Sequence, residues 1–244
     1  YLYISQQLAM LLPTLVVALL ATLCPISATA DSVYWPAEDY GLMKPISGCP
    51  LVWESGSVEQ DTQSKNEHDS EYLAGYVEKN RIRKEFCMKV GHADGVGEWP
   101  AGNYCIYRYG HQCPIGFTTG LVNWEDRDLH EDNAHEGFLP DGDYTDRHTE
   151  INYCCRDDGS ISDEIVLPTK DPFVLIRNTL ECQKVAGMTA KLQYIKDDTE
   201  NMDDDSKCIG DYPYICTTNE GCMTIGDKTK IHDPQVHYCY YSEF

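Results

Sequence analysis

A mainly β, disulfide-rich domain assembled from three related copies is the fold class the sequence predicts. Three observations predict it. The first is an internal repeat: W-P-A-E-D-Y at Trp35 and W-P-A-G-N-Y at Trp99 open two segments in which the Trp precedes a Cys-Pro pair by 14 residues (Cys49, Cys113) and that Cys precedes a glycine by 7 (Gly56, Gly120). Both segments close on an aromatic-Cys pair, Phe86-Cys87 and Tyr153-Cys154. Copies of this size cannot bury a face alone and must stack. The second is the cysteine count, 12 in 244 residues. The third is a set of short alternating or apolar runs separated by Gly, Asn, Asp and Pro clusters, the pattern of strands and turns.

In chain order, the first 30 residues carry no charge, run almost continuously apolar from Leu8 to Ile26 and end in Ala28-Thr29-Ala30. This predicts a secretory signal peptide over 1–30, its apolar region bounded by Pro13 and Pro25, with cleavage before Asp31 and Met10 as the candidate start. A retained membrane anchor is the alternative, for which the apolar run is short. Residues 31–244 then form a single domain with repeats at about 34–90, 98–158 and 166–241. The closing runs Arg81 to Met88, Glu150 to Arg156 and Gln235 to Tyr241 are expected strands, as are Tyr104 to Tyr109 and Phe173 to Arg177. Leu139 to Asp143 and Asp157 to Ser160 supply turn chemistry. A short helix has one place, Asn66 to Lys79. The third copy opens at Leu167-Pro168, reaches Cys182, passes Gly187, closes on Tyr238-Cys239 and carries an insertion from Met202 to Ile225. Packing about a shared axis would give a pseudo-threefold antiparallel β domain, β-prism-like, with a trefoil as the alternative for which the copies are long.

If the copies fold alike, the repeat also specifies disulfides: Cys49 with Cys87, Cys113 with Cys154, and Cys182 with Cys239. Cys105 and Cys155 are extra in the second copy. Their counterparts are Gly41 and Met88 in the first and about Val174 and Tyr240 in the third, so they are present and absent together and are expected to bond. Neighbouring Cys154 and Cys155 would point to opposite faces of one strand and serve two bonds. Cys208, Cys216 and Cys222 remain in the insertion, where one pair is expected and one thiol stays free or links a second chain into a disulfide-bonded oligomer.

With 19 basic and 40 acidic residues the net charge is −21, which argues against nucleic acid and anionic membranes as partners. Nothing after Asp31 is long and apolar enough for membrane insertion. The sequence has no H-E-x-x-H, G-x-S-x-G, phosphate-loop or dinucleotide motif, so no enzymatic activity is expected. His130 and His135, five apart, do not share a helix face as a zinc motif requires. No metal or cofactor is expected. Calcium is the one candidate ion, because Asp126, Asp128, Asp132 and the run Asp203 to Asp205 offer hard oxygens, although without the glycine and terminal glutamate of an EF-hand.

Candidate ligand-binding residues follow the repeat. Trp124, Asp126 and Asn133 in the second copy parallel Asp61 and Asn66 in the first, and Asp198 and Asn201 stand in the third. An aromatic face suits sugar C–H surfaces, while Asp and Asn direct hydrogen bonds to hydroxyls and amides. The same Asp and Asn residues are also ordinary turn formers, and Trp35 and Trp99 are expected in the core.

W-P-A-G-N-Y-C-I-Y-R, C-P-I-G-F-T-T-G, I-N-Y-C-C-R-D-D-G, P-F-V-L, C-Q-K-V-A-G-M and H-Y-C-Y-Y, together with the early Q-D-T-Q-S-K-N at Gln60 to Asn66, resemble the apextrin C-terminal domain family, ApeC, over about Tyr34 to Tyr241. Cysteines 49, 87, 105, 113, 154, 155, 182 and 239 match that family's pattern, whereas Cys208, Cys216 and Cys222 depart from it. The resemblance implies a secreted protein of innate defence or extracellular matrix whose domain recognises bacterial cell-wall peptidoglycan or muropeptides. A structural or adhesive matrix protein crosslinked through its odd cysteine is the alternative, and a wall-glycan hydrolase a third.

Overall fold

Nearly every alternating run becomes a strand. The computed structural model describes residues 33–62, 65–91, 93, 95–125, 133–199, 206–211, 213, 223–225, 228–230 and 233–243. Among them are sixteen strands and no helix. The first repeat supplies β1 (Tyr40–Met43), β2 (Glu54–Asp61), β3 (Glu67–Asp69), β4 (Gly75–Val77) and β5 (Arg81–Lys89). The second supplies β6 (Asn103–Arg108), β7 (Thr118–Glu125), β8 (Ala134–Gly137), β9 (Gly142–Tyr144) and β10 (His148–Asp157). The third supplies β11 (Phe173–Arg177), β12 (Met188–Lys196), β13 (Lys207–Gly210), β14 (Met223–Ile225), β15 (Lys228–Lys230) and β16 (Gln235–Glu243). The stretch expected to hold a short helix instead contains β3 and β4. Its residues pair with distant strands, β3 with β12 and β4 with β5, and those non-local ladders override its local preference.

All strand ladders are antiparallel, and they form one open sheet whose main path runs β14-β15-β13-β7-β10-β6-β1-β5-β2-β8. Within each repeat the long closing strand pairs with the second strand: β5 with β2, β10 with β7, β16 with β12. The opening strand pairs with the closing strand of its own repeat on the other side, β1 with β5, β6 with β10 and β11 with β16. Openings also pair with each other, β1 with β6 and β6 with β11. The short third strand of each repeat crosses to a neighbouring repeat, although β13 also pairs with β15 of its own. Thus β8 adds to β2, β13 to β7, and β3 to β12.

The central strands are buried on both faces, which is why they read as near-continuous apolar runs. Alternate residues enter two cores. Phe86, Met88, Tyr107, Tyr153, Val174, Ile176, Tyr238 and Tyr240 fill one. Tyr40, Leu42, Trp99, Tyr104, Ile106, Phe173, Leu175 and Tyr241 fill the other, with Trp35 packed against Trp53, Trp99 and Phe173 at ring-centroid distances of 5.2, 6.2 and 5.2 Å. The W-P-A-x-x-Y motif has a local purpose too. The hydroxyls of Tyr40 and Tyr104 donate to the carbonyls of Pro36 and Pro100, closing each entry turn, and Tyr144 does the same to Pro140.

Four disulfides join Cys49 to Cys87, Cys105 to Cys155, Cys113 to Cys154 and Cys182 to Cys239, the pairings the repeat predicts. Cys154 and Cys155 face different cores. Cys105 and Cys155 are direct cross-strand partners, and the same register holds Gly41 opposite Met88 and Val174 opposite Tyr240. The extra disulfide therefore occupies a site that the other copies fill with side-chain packing.

The Cys-Pro turns also correspond. Trp53 N–H donates to Pro50 O and Phe117 N–H to Pro114 O. The residue before the donor has positive φ in both, Gly116 at 88° and Val52 at 66°. A β-branched residue is strained there, and Val52 is exposed with no packing role to lose. Val52→Gly is expected to stabilise the protein by about 1 kcal/mol despite glycine's added unfolded-state freedom. A differential scanning measurement should show Tm rising by roughly 2–4 °C.

Candidate functional site

Each repeat carries one side chain that fastens a neighbouring repeat. Asn66, Asn133 and Ser206 each stand one residue before the exchanged strand, ahead of β3, β8 and β13. Their side-chain oxygens accept from the backbone N–H groups of Asp198, Asp61 and Glu125 at 2.9, 2.8 and 3.1 Å. The two asparagines have a second arm, and their amides donate to Glu78 O (2.9 Å) and Thr145 O (3.2 Å), just past β4 and β9.

The predicted ligand residues are thus brought together in pairs, Asn133 with Asp61 and Asn66 with Asp198, but as latches within the fold. The third latch is Ser206, and Asn201 and Asp126 lie outside the described residues. Asn133→Ala should cost about 1–2 kcal/mol by leaving the Asp61 N–H without its acceptor, readable as an earlier urea midpoint. Trp124 is corrected as a sugar platform. It is 2% exposed, with its ring turned inward beneath the Lys84 ammonium 4.2 Å away.

That ammonium is the centre of a buried polar cluster. Lys84 Nζ on β5 donates to Asp197 Oδ2 at 2.8 Å and Gln60 Oε1 at 3.0 Å. Gln60, Trp124 and Asp197 come from different repeats, and each directly precedes the residue whose N–H is latched. Loss of hydration pushes the Asp197 carboxyl upward, and the Lys84 ammonium opposes that shift.

The repeat glycines mark the strand crossings. A Cβ at Gly56 would overlap the Phe138 carbonyl, and one at Gly120 would overlap that of Asp211, because the chain leaving β8 or β13 runs directly over them. Gly187, matched to them by sequence, is instead a turn residue at φ 77° before β12. Counted back from the latched N–H, the third position is Gln193, whose Oε1 accepts from Tyr72 N–H at 2.9 Å.

Two of the surface grooves among the described residues have volumes of about 400 Å³. One, of about 410 Å³, is lined by Asn103, Thr118, Arg156, Asp157, Asn178 and Asp211. Arg156 is committed there: it chelates Asp158, donates to Trp99 O at 2.8 Å and lies over the Phe117 ring. This pairing holds the Asp158 carboxyl at about 2. The groove has no aromatic lining. The other, of about 400 Å³, is lined by Ile46, His68, Glu71, Tyr76, Val77 and Arg83 among others. It combines an accessible phenol ring and aliphatic side chains with directed donors and acceptors.

Cys208 is fully buried in β13, and burial pushes its thiol well above the ordinary range, so it presents no sulfur to a second chain. Cys216, Cys222 and the acidic runs weighed for calcium lie outside the described residues. Among the described residues no group of three His, Cys, Asp or Glu side chains converges, and no helix is long and apolar enough to cross a membrane.

No curated protein and no solved structure matches the chain. A family model does, over residues 35–241, from the first tryptophan of the repeat to the end of the closing tyrosine run. All four disulfides and nearly the whole described fold fall inside that span, so the chain belongs to the ApeC family, the C-terminal domain of apextrin.

Proposed function

We propose that this is a secreted, non-catalytic recognition protein of innate defence that binds bacterial cell-wall peptidoglycan or its muropeptides. The family match across 35–241 carries the proposal. The leader pattern and disulfide density suit an oxidising, extracellular compartment. We assign the ligand to the groove containing His68, Tyr76 and Arg83, since a sugar-peptide needs an aromatic face for C–H surfaces beside donors and acceptors for its amides and hydroxyls. No metal, cofactor or nucleic acid enters this function.

The test is retention on insoluble peptidoglycan. The mature protein should be retained, and Tyr76→Ala should weaken apparent affinity about tenfold, the equivalent of one aromatic contact. Retention no better than that of a matched acidic, disulfide-bonded control defeats the proposal. Retention that Tyr76→Ala leaves untouched moves the site elsewhere.

We further propose that the repeats are related by a pseudo-threefold axis in a β-prism-like rather than trefoil arrangement. Supporting this are the cyclic exchange of third strands, the three equivalent latches, and the meeting of Lys84 with the residue just before the latched N–H of each repeat.

A further inference from the structure

The cluster around Lys84 holds the reactants of a self-made crosslink. On the β2–β5 ladder the residue opposite Lys84 is Val58, so Gln60, two residues along, lies diagonally across on the same face. Lys84 Nζ is 3.0 Å from Gln60 Oε1 and 2.8 Å from Asp197 Oδ2. The Lys84 and Asp197 side chains are each 1% exposed, and Gln60 is also buried. Trp124, Phe86, Tyr107, Tyr153 and Tyr238 belong to the same core. An amine, a carboxamide and a carboxyl group are thus fixed in contact where water does not compete, as acyl transfer between unactivated groups requires.

We propose that Lys84 and Gln60 condense into an intramolecular isopeptide bond, with Asp197 shuttling the proton. The Lys84 ammonium gives one proton to the Asp197 carboxylate, and the freed amine attacks Gln60 Cδ, forming the C–N bond as the carbonyl π pair moves onto oxygen. Asp197 passes its proton to the departing amide nitrogen. The Cδ–Nε2 bond breaks as the carbonyl re-forms, and ammonia leaves, taking the second Nζ proton as ammonium. No oxidant or co-reactant is needed. Burial favours the neutral forms on which the step depends, and it drives the Asp197 carboxyl upward. Gln60 is the acceptor because its condensation leaves the carboxyl group available as the acid. With Asp197 as acceptor, no comparable proton carrier would remain beside Lys84.

Intact-mass measurement of the protein secreted from eukaryotic cells tests this directly. The expected mass lies one ammonia below that of the disulfide-bonded sequence. After reduction, denaturation and proteolysis, a branched peptide should join Lys84 to Gln60. Lys84→Arg, Gln60→Ala and Asp197→Asn should each abolish that peptide. An unshifted wild-type mass overturns the proposal, as does loss of one water with Lys84 joined to Asp197. The wild-type measurement decides the matter even if a variant fails to fold.

Discussion

Asp197→Ala is expected to destabilise the protein by about 3–5 kcal/mol, the cost of stranding a buried charge whose partner has been removed. Without the Asp197 proton shuttle Lys84 stays an ammonium, and it would keep only the Gln60 oxygen and the Trp124 ring in a site sealed from water. Its counterparts on the other closing strands, counted from the aromatic-Cys pair, are Ile151 and Val236, so the position is otherwise an apolar one. Replacing both partners, Lys84→Met with Asp197→Ala, should recover much of the loss because no charge then remains buried. Urea unfolding of the two single variants and the double variant measures the coupling. Nearly additive losses would show that the contact between Lys84 and Asp197 does not hold the repeats together at their centre.

Gly120→Ala should cost about 3 kcal/mol, the upper end of the usual overpacking range. The added methyl would meet backbone, the Asp211 carbonyl, rather than the end of a side chain that could swing away. Relief requires β13 to lift from β7 and break the ladder that pairs Gly210 with Gly120. The same change at Gly187 removes only a positive-φ turn glycine and should cost roughly 1 kcal/mol. Parallel thermal unfolding of the two variants should separate them clearly. Equal losses would mean that Gly120 is retained for chain flexibility alone.

Much of the framework is legible in the residues. Repeat spacing identifies the bonded cysteines, because copies that fold alike must bring equivalent thiols together. The joint appearance of Cys105 and Cys155 marks a cross-strand pair for the same reason, and the coordinates place them in register. Alternation locates the opening and closing strands within one or two residues at most ends. Less visible are β3, β8 and β13, which are short, polar and stabilised by a strand from a distant part of the chain. The segment from Asn66 to Lys79 consequently suggests a helix when considered locally.

The candidate site shows the same division more sharply. Matched spacing singles out Asn66, Asn133, Asp61 and Asp198, which the structure joins in latching hydrogen bonds, yet spacing cannot distinguish a group that serves a ligand from one that fastens the chain to itself. A possible signal for Ser206 was its place immediately before a short alternating run, the place Asn66 and Asn133 occupy in their copies. The groove at Tyr76 had no counterpart in the sequence pattern, because its walls come from β3, β4, β5 and their intervening turns, with Ile46 from between β1 and β2 and Ile195 of β12.

By itself the sequence determined the family, the repeat, the strand-rich class and the four sulfur bridges, since each is recorded in residue identity and in separation along the chain. Tertiary structure alone decided that third strands exchange between copies, that Trp124 turns inward, and that Lys84 meets Gln60 and Asp197. Those outcomes depend on which distant backbones approach one another and on which faces lose water, and neither quantity is carried by spacing in one dimension.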